Sequence, residues 1–344
     1  MMNRRAFLGT TLGVAGLNTC NARSAGAVVH NAAPEPLVWP LVAKPQEGIR
    51  SFAGHTDTVL DVIGRLGTPP SLVIFTEGNH LMVLSSDEIV GAFPSWAKSQ
   101  PKYANLDLTN IILTTLPQPI LVQMIRTGGV ALGNLTLDTS RSSGFYPDIV
   151  MGYPEPLRQL RRMGVIESQA RFFSRNRGVA LLVRKGNPLG IHGLADLVRN
   201  GVRIALPDSG DVRAQCLAAA EAQLGKPAAS ALTSAETNFP GRLGIMHRDL
   251  PEMVARGYAD VAFTWYHLVS FWARAFPDHF EFVAVPGVES FFTKIAFAPT
   301  VNPLRSEAAK AFDDFFFARA RDVYPRHDFA RMDDTEFGAP LGLD

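Results

Sequence analysis

The sequence predicts an α/β fold in which helices flank a mainly parallel sheet, and three observations carry that expectation. From Leu72 onward, short apolar runs alternate with stretches at helical spacing, the pattern of strand–helix units. The length, 344 residues, points to two domains. The composition is that of a packed protein: 47% hydrophobic residues, including 22 Phe, with 29 Gly and 24 Pro supplying loops.

In chain order, residues 1–27 read as an export signal outside the fold. Arg4 and Arg5 precede an uncharged stretch to Leu17, and small residues end the segment at Ala25-Gly26-Ala27. Arg4-Arg5-x-Phe7-Leu8 resembles the twin-arginine signal that exports folded proteins. The apolar run is too short to span a membrane. Cys20 is an alternative lipid-anchoring position, although Leu17-Asn18-Thr19 before it fits that pattern poorly. Cleavage after Ala27 removes three arginines and leaves 30 basic against 32 acidic residues, with Cys216 as the remaining cysteine. The expected compartment is the periplasm of a diderm bacterium. The near-neutral balance, with no basic run, argues against nucleic acid or an anionic membrane as partner.

Residues 28–70 are expected to form a proline-bearing arm and a cap helix over Thr56 to Leu66. Leu72-Val73-Ile74-Phe75 reads as a buried strand, followed by the turn Thr76 to His80 and a helix carrying Ile89, Val90 and Phe93. A second strand is placed at Leu106 to Leu113, with the turn Thr114 to Gln118 and a helix through Ile120, Leu121, Met124 and Ile125. The third strand, Asp148 to Gly152, leads to a helix over Pro156 to Met163. Phe172 to Val183 reads as one long strand. Beyond it come a short helix at Leu194 to Val198, a strand at Val202 to Leu206 and a helix at Val212 to Leu224. A helix at Leu250 to Arg256 and strands at Asp260 to Thr264, Phe280 to Val285 and Thr293 to Ala298 precede a closing helix at Ala308 to Arg319.

Four turns are candidate binding loops: Thr76 to His80, Thr114 to Gln118, Pro207 to Arg213 and Ile245 to Asp249. Three directly precede helices, whose free N–H groups and positive dipole end favour an anion; plain N-capping is the competing reading. In an open α/β sheet ligands collect at the carboxyl ends of the strands, where these turns lie. Trp265-Tyr266-His267 ends a strand at such an edge, and Trp and Tyr serve ligand contact or core packing equally. Arg248 offers a bidentate contact or pairs with Asp249. Glu77, His80 and His247 invite a metal reading, but no H-x-x-x-H or H-E-x-x-H spacing exists. No G-x-S-x-G elbow, P-loop or G-x-G-x-x-G after a strand supports an enzyme.

With these elements in place, residues 56–330 resemble a type II periplasmic solute-binding protein of the molybdate-binding-like group, the soluble receptor of an ABC importer. The resemblance is carried by Leu72 to His80, Thr115-Leu116-Pro117, Gly133-Asn134-Leu135, Pro147-Asp148-Ile149, Ser174 through Pro188, Leu194 to Leu197, Val202 to Pro207, Gly257-Tyr258-Ala259-Asp260-Val261 and Ala311 to Phe315. A subgroup with Ala-Gly-Asn-Gln-Phe at the first turn and His-His-Arg-Glu-Thr-Pro later is matched at Asn79, His247 and Arg248, while Glu77, His80 and Met246 depart.

The resemblance implies two lobes joined by crossover strands and closing on ligand: residues 71–177 with 285–344 as lobe I, and residues 178–284 as lobe II. It implies a monomer without cofactor that captures a small anion, a molybdate-like oxyanion or small organic anion, and presents it to a permease. The ligand-binding residues expected are Thr76, Gly78, Asn79, His80, Thr115, Leu116, Pro117, Asp208, Ser209, His247, Arg248, Trp265 and Tyr266. A metal or metal-chelate receptor using Glu77, His80 and His247 is the alternative, and an enzyme on the same scaffold the third reading. An ionised Glu77 facing the site would repel an oxyanion.

Overall fold

The computed structural model describes Leu37 and residues 62–65, 68–132, 135–208, 210–238 and 245–344. The expected export signal, Cys20, most of the arm, the Gly133-Asn134 pair and Ser209 lie outside the described residues.

In chain order the strands are β1 (Val62–Ile63), β2 (Leu72–Thr76), β3 (Ile111–Thr114), β4 (Gly129–Leu132), β5 (Leu135–Asp138), β6 (Ile149–Gly152), β7 (Gln169–Arg175), β8 (Val179–Arg184), β9 (Ile204–Ala205), β10 (Val261–Trp265), β11 (Phe280–Ala284), β12 (Lys294–Pro299) and β13 (Pro340–Gly342). The helices are α1 (Leu81–Leu84), α2 (Phe93–Ser99), α3 (Gln118–Thr127), α4 (Pro154–Arg162), α5 (Leu194–Leu197), α6 (Gly210–Leu224), α7 (Lys226–Ser234), α8 (Met246–Ala255), α9 (Tyr266–Ala275) and α10 (Ser306–Arg326).

A seven-stranded sheet runs β1-β3-β2-β6-β12-β7-β13, and a four-stranded sheet runs β11-β8-β10-β9. The heart of the first, β3-β2-β6, is parallel, as is the β9-β10 pair of the second, and antiparallel strands extend both. Parallel strands covered on both sides are apolar throughout, which is why Leu72-Val73-Ile74-Phe75 shows no alternation. Leu72 and Ile74 face Phe93, Phe312 and Phe315 of α2 and α10, while Val73 and Phe75 face Leu121 and Met124 of α3 and Leu157 and Leu160 of α4. The second sheet is packed by Cys216 and Ala220 of α6, Leu250 and Met253 of α8, and Leu268 and Trp272 of α9.

Several local expectations give way to tertiary context. The cap helix ending at Leu66 is replaced, where the structure describes it, by β1, which pairs antiparallel with β3. There the open edge of β3 offers backbone partners that outweigh the helical spacing. The long strand Phe172 to Val183 is two strands in two sheets, because both halves are buried and periodicity cannot reveal the change of sheet. The turn after β2 continues as a 3-10 turn at Gly78–His80 and the short α1 before α2 begins at Phe93. Helices α7 and α9, the β4-β5 hairpin and the edge strand β13 were not anticipated.

The chain passes between the sheets twice, at residues 176–178 and 285–293. The two passages are hydrogen-bonded: Asn176 N donates to Thr293 O at 3.1 Å, and Asn176 Nδ2 to Thr293 Oγ1 at 3.1 Å. Near them Ser270 Oγ and Arg274 of α9 reach Asp328, in the segment after α10, at 2.9 and 2.5 Å.

Candidate functional site

The turn after β2 sits at the carboxyl edge of the parallel heart. Glu77 caps its own 3-10 turn, Oε2 accepting from Asn79 N at 2.9 Å. Asn79 Nδ2 donates to the Tyr153 hydroxyl at 2.9 Å. Tyr153 follows β6 and precedes α4, so it stands at the same edge, two strand ends side by side. Its position is set by Gln118, whose Oε1 accepts from Tyr153 N at 3.0 Å. The Gln118 amide passes directly over Gly152, where an added Cβ would meet it.

From the second sheet, Trp265 at the end of β10 donates its Nε1–H to the same Tyr153 hydroxyl at 3.3 Å. The first turn of α8 brings His247 against Gly78: a Cβ at position 78 would strike the imidazole and lie 2.8 Å from Thr115 O. Gly78 is therefore required by the close approach of the two halves, since any side chain would separate them. Asp211, in the first turn of α6, acts electrostatically on both Glu77 and Tyr153.

Burial dominates the electrostatics of this face. Glu77 is 7% exposed and makes no ion pair among the described residues. Burial pushes its carboxyl up to about 8; the Asn79 hydrogen bonds oppose the shift and the Asp211 charge adds to it. At pH 7 the group is an uncharged acid and carries a hydrogen it can donate. The Tyr153 hydroxyl is raised well above its ordinary value, first by burial and then by Glu77. Asp211 is raised by burial as well.

The remaining expected residues divide. Thr76 and Thr115 are buried at this edge, and Arg248 and Asp249 lie buried in the first turn of α8, with Asp249 Oδ2 accepting from Ile245 N at 3.1 Å. Pro117 caps α3, and Asp208 lies exposed just before α6. The Leu116 side chain belongs to the core beneath α3 and α4. The Tyr266 ring packs edge-on against Phe282 at 4.8 Å and under the Arg177 guanidinium at 4.7 Å.

His80 points away into an aromatic nest. Its Nδ1 lies 3.1 Å from Tyr324 Oη, and its ring stacks on Phe329 at 5.1 Å. His267 stacks on the same Phe329 at 3.9 Å. Burial lowers His80 to about 3; it lowers His267 well below its ordinary value too, with the neighbouring His80 adding to the effect. Both are neutral packing groups. Among the described residues no three metal-binding side chains converge, which removes the Glu77–His80–His247 metal centre. Cys216 is a buried thiol held at 3.4 Å from Phe263 O, with burial pushing its ionisation up, so it is not a nucleophile.

Tyr153 lies outside the sequence reading, which includes Gln118 and Asp211 only as members of the candidate turns Thr114 to Gln118 and Pro207 to Arg213. Tyr153 was findable by the rule that selected Thr76 and Thr115, because it too follows a parallel strand at its carboxyl end.

Residues 101–324 match the family described as bacterial extracellular solute-binding protein. Among solved structures, the sulfate-binding protein SubI from Mycobacterium tuberculosis H37Rv is similar over 77% of this chain and 87% of its own, at 15% identity and a TM-score of 0.53. Peb3 from Campylobacter jejuni is similar over 76% of this chain and 100% of its own, at 15% identity and a TM-score of 0.50. PEB3 with L-phospholactate bound has the same coverage and identity and a TM-score of 0.51. At that identity these likenesses establish the fold. No curated protein sequence matches the chain.

Proposed function

The chain belongs to the bacterial extracellular solute-binding protein family, and from that premise we propose that it is the exported receptor of an ABC importer for a small anion. The observation that carries the reading is the buried polar face between the two sheets, with Glu77, Asn79 and Tyr153 on one side and Trp265 and His247 on the other, where the Asn79 amide, the Tyr153 phenol and the Trp265 indole supply neutral donors. Neutral donors suit an anion, because a buried cation would have to be desolvated first whereas oriented N–H and O–H groups are already in place. Glu77 in its uncharged form removes the repulsion that an ionised carboxylate would impose. The sulfate-binding protein SubI and L-phospholactate-bound PEB3 share the fold, and sulfate and L-phospholactate are both anions.

The two lobes are the bodies built on the two sheets. Their hinge is the paired passage at residues 176–178 and 285–293, and ligand shifts the open–closed population because the closed arrangement makes contacts from both sides. The permease reads the closed form. Export by the twin-arginine route to the periplasm and action as a monomer complete the proposal.

Thermal unfolding with a panel of sulfate, molybdate, tungstate, phosphate, L-phospholactate and small carboxylates tests it. At least one anion is expected to raise Tm; no shift across the panel overturns the reading. For the anion that binds, Gly78→Ala should weaken affinity about tenfold for each ~1.4 kcal/mol by which the new methyl opposes closure against His247.

A further inference from the structure

The Tyr153 hydroxyl is held from both halves at once. Asn79 reaches it from the turn after β2 and Trp265 from the end of β10, and both are donors to its oxygen. A phenol oxygen has two acceptor sites, so both are taken and the hydroxyl hydrogen is left to donate. Among the described residues it donates to none.

The count holds whichever way the Asn79 amide is turned. Indole, phenol and amide together carry one, one and two polar hydrogens. With Nδ2 toward Tyr153, the phenol hydrogen is unspent, the second amide hydrogen faces the Glu77 carboxyl, and Asn79 Oδ1 has no partner. With the amide reversed, the phenol donates to Oδ1 and both amide hydrogens are unspent. At least one donor remains in either case, in a place where Asn79 is 1% and Trp265 0% exposed. Unspent buried donors are costly, and nothing in the trio can absorb them.

We infer that Tyr153 is a ligand-contacting residue, and that Asn79, Tyr153 and Trp265 form one donor clamp on a solute's hydrogen-bond acceptors. The inference rests on the anion reading of this face and sharpens it: the acceptor oxygens of a fully deprotonated oxyanion or carboxylate satisfy the unspent phenol hydrogen. The clamp also explains why both halves are needed. Asn79 alone leaves the phenol free to rotate, and only the indole from the second sheet fills its other lone pair.

The experiment is a titration of the mature protein with sulfate, molybdate and L-phospholactate, read by calorimetry and by the indole N–H proton resonances, with Trp265→Phe identifying the Trp265 signal. For an anion that binds, the Trp265 resonance is expected to shift. Tyr153→Phe should bind at least tenfold more weakly. Asn79→Asp, which replaces amide donors by an acceptor, should bind at least a hundredfold more weakly at pH 8, and its deficit relative to the unmodified protein should narrow at pH 5 as the new carboxyl gains a proton. A purely structural role for Asn79 would show no such narrowing. Anion binding with an unmoved Trp265 resonance, or with wild-type affinity in both variants, overturns the clamp and leaves the anion reading intact. Absence of binding by every anion overturns the anion reading itself.

Discussion

Two buried carboxylates at opposite edges of the same parallel strands show how this molecule separates architecture from site. Asp148, ahead of β6, has both oxygens engaged: Oδ2 accepts from Val73 N at 2.9 Å and Arg305 Nε at 2.5 Å, and Oδ1 from Arg305 N at 3.0 Å. The same guanidinium caps Gly144 O and Tyr146 O at 2.6 and 2.7 Å. Glu77, past the end of β2, has Asn79 as its hydrogen-bond partner and no cation among the described residues. The carboxylate paired with a guanidinium ties loops together. An unpaired one gives up its charge and becomes a donor, and it does so at the strand ends where a ligand would sit.

The largest effect should come from breaking the paired member. Arg305→Met strands Asp148 in the interior and should cost about 3–5 kcal/mol in urea unfolding. A cost near zero would mean the pair is not what holds that edge.

Next is the unpaired member, with the opposite sign. In the unfolded chain Glu77 releases its proton above pH ~4.5, while in the fold it keeps it until about 8. Folding at pH 7 therefore requires proton uptake, and stability is lost as pH rises through that window. Glu77→Gln, which is permanently neutral, should stabilise the protein by on the order of 3 kcal/mol at pH 7 and by nothing at pH 4.5. An equal gain at both pH values would show that packing, and not the proton, is responsible.

The histidine nest tests burial without a charge partner in a base. The folded pKa of His80 is depressed to about 3. Its neutral form stabilises the fold fully above ~6.5, and that stability fades as pH falls. By pH 5 the loss from His80 should be on the order of 2 kcal/mol. His80→Gln should flatten the acid limb of the Tm profile; an unchanged slope would place the acid sensitivity elsewhere.

The smallest effect belongs to a surface carboxylate. Glu155 pairs with Arg158 and Arg162 at 3.7 and 3.0 Å in solvent, where screening leaves little net gain. Glu155→Gln should not measurably move Tm, and a clear drop would show that solvent-facing pairs in α4 matter more than their exposure suggests.

Much of this arrangement was legible in the chain. The apolar runs at β2 and β6 and the turn Glu77-Gly78-Asn79 announce strand ends in local chemistry, and Trp265 announces itself by following an apolar strand. Tyr153 was equally local and was passed over because Met151-Gly152-Tyr153-Pro154 reads as a plain strand-to-helix junction. His80 was over-read: nothing local distinguishes a ligand from a ring destined to stack on Phe329, almost 250 residues away in sequence.

By itself the sequence determined the alternation of strands and helices and the edge at which the candidate turns gather, because hydrophobic periodicity and turn chemistry are short-range properties. The tertiary structure alone decided that the apolar stretch from Phe172 to Val183 divides between two sheets. It also decided that Asp148 meets Arg305 while Glu77 meets no cation, and that a phenol at 153 is gripped by Asn79 and Trp265 together. Those outcomes depend on which strand ends become neighbours, and the desolvation and donor counts that give Glu77 and Tyr153 their chemistry exist only once those neighbours are in place.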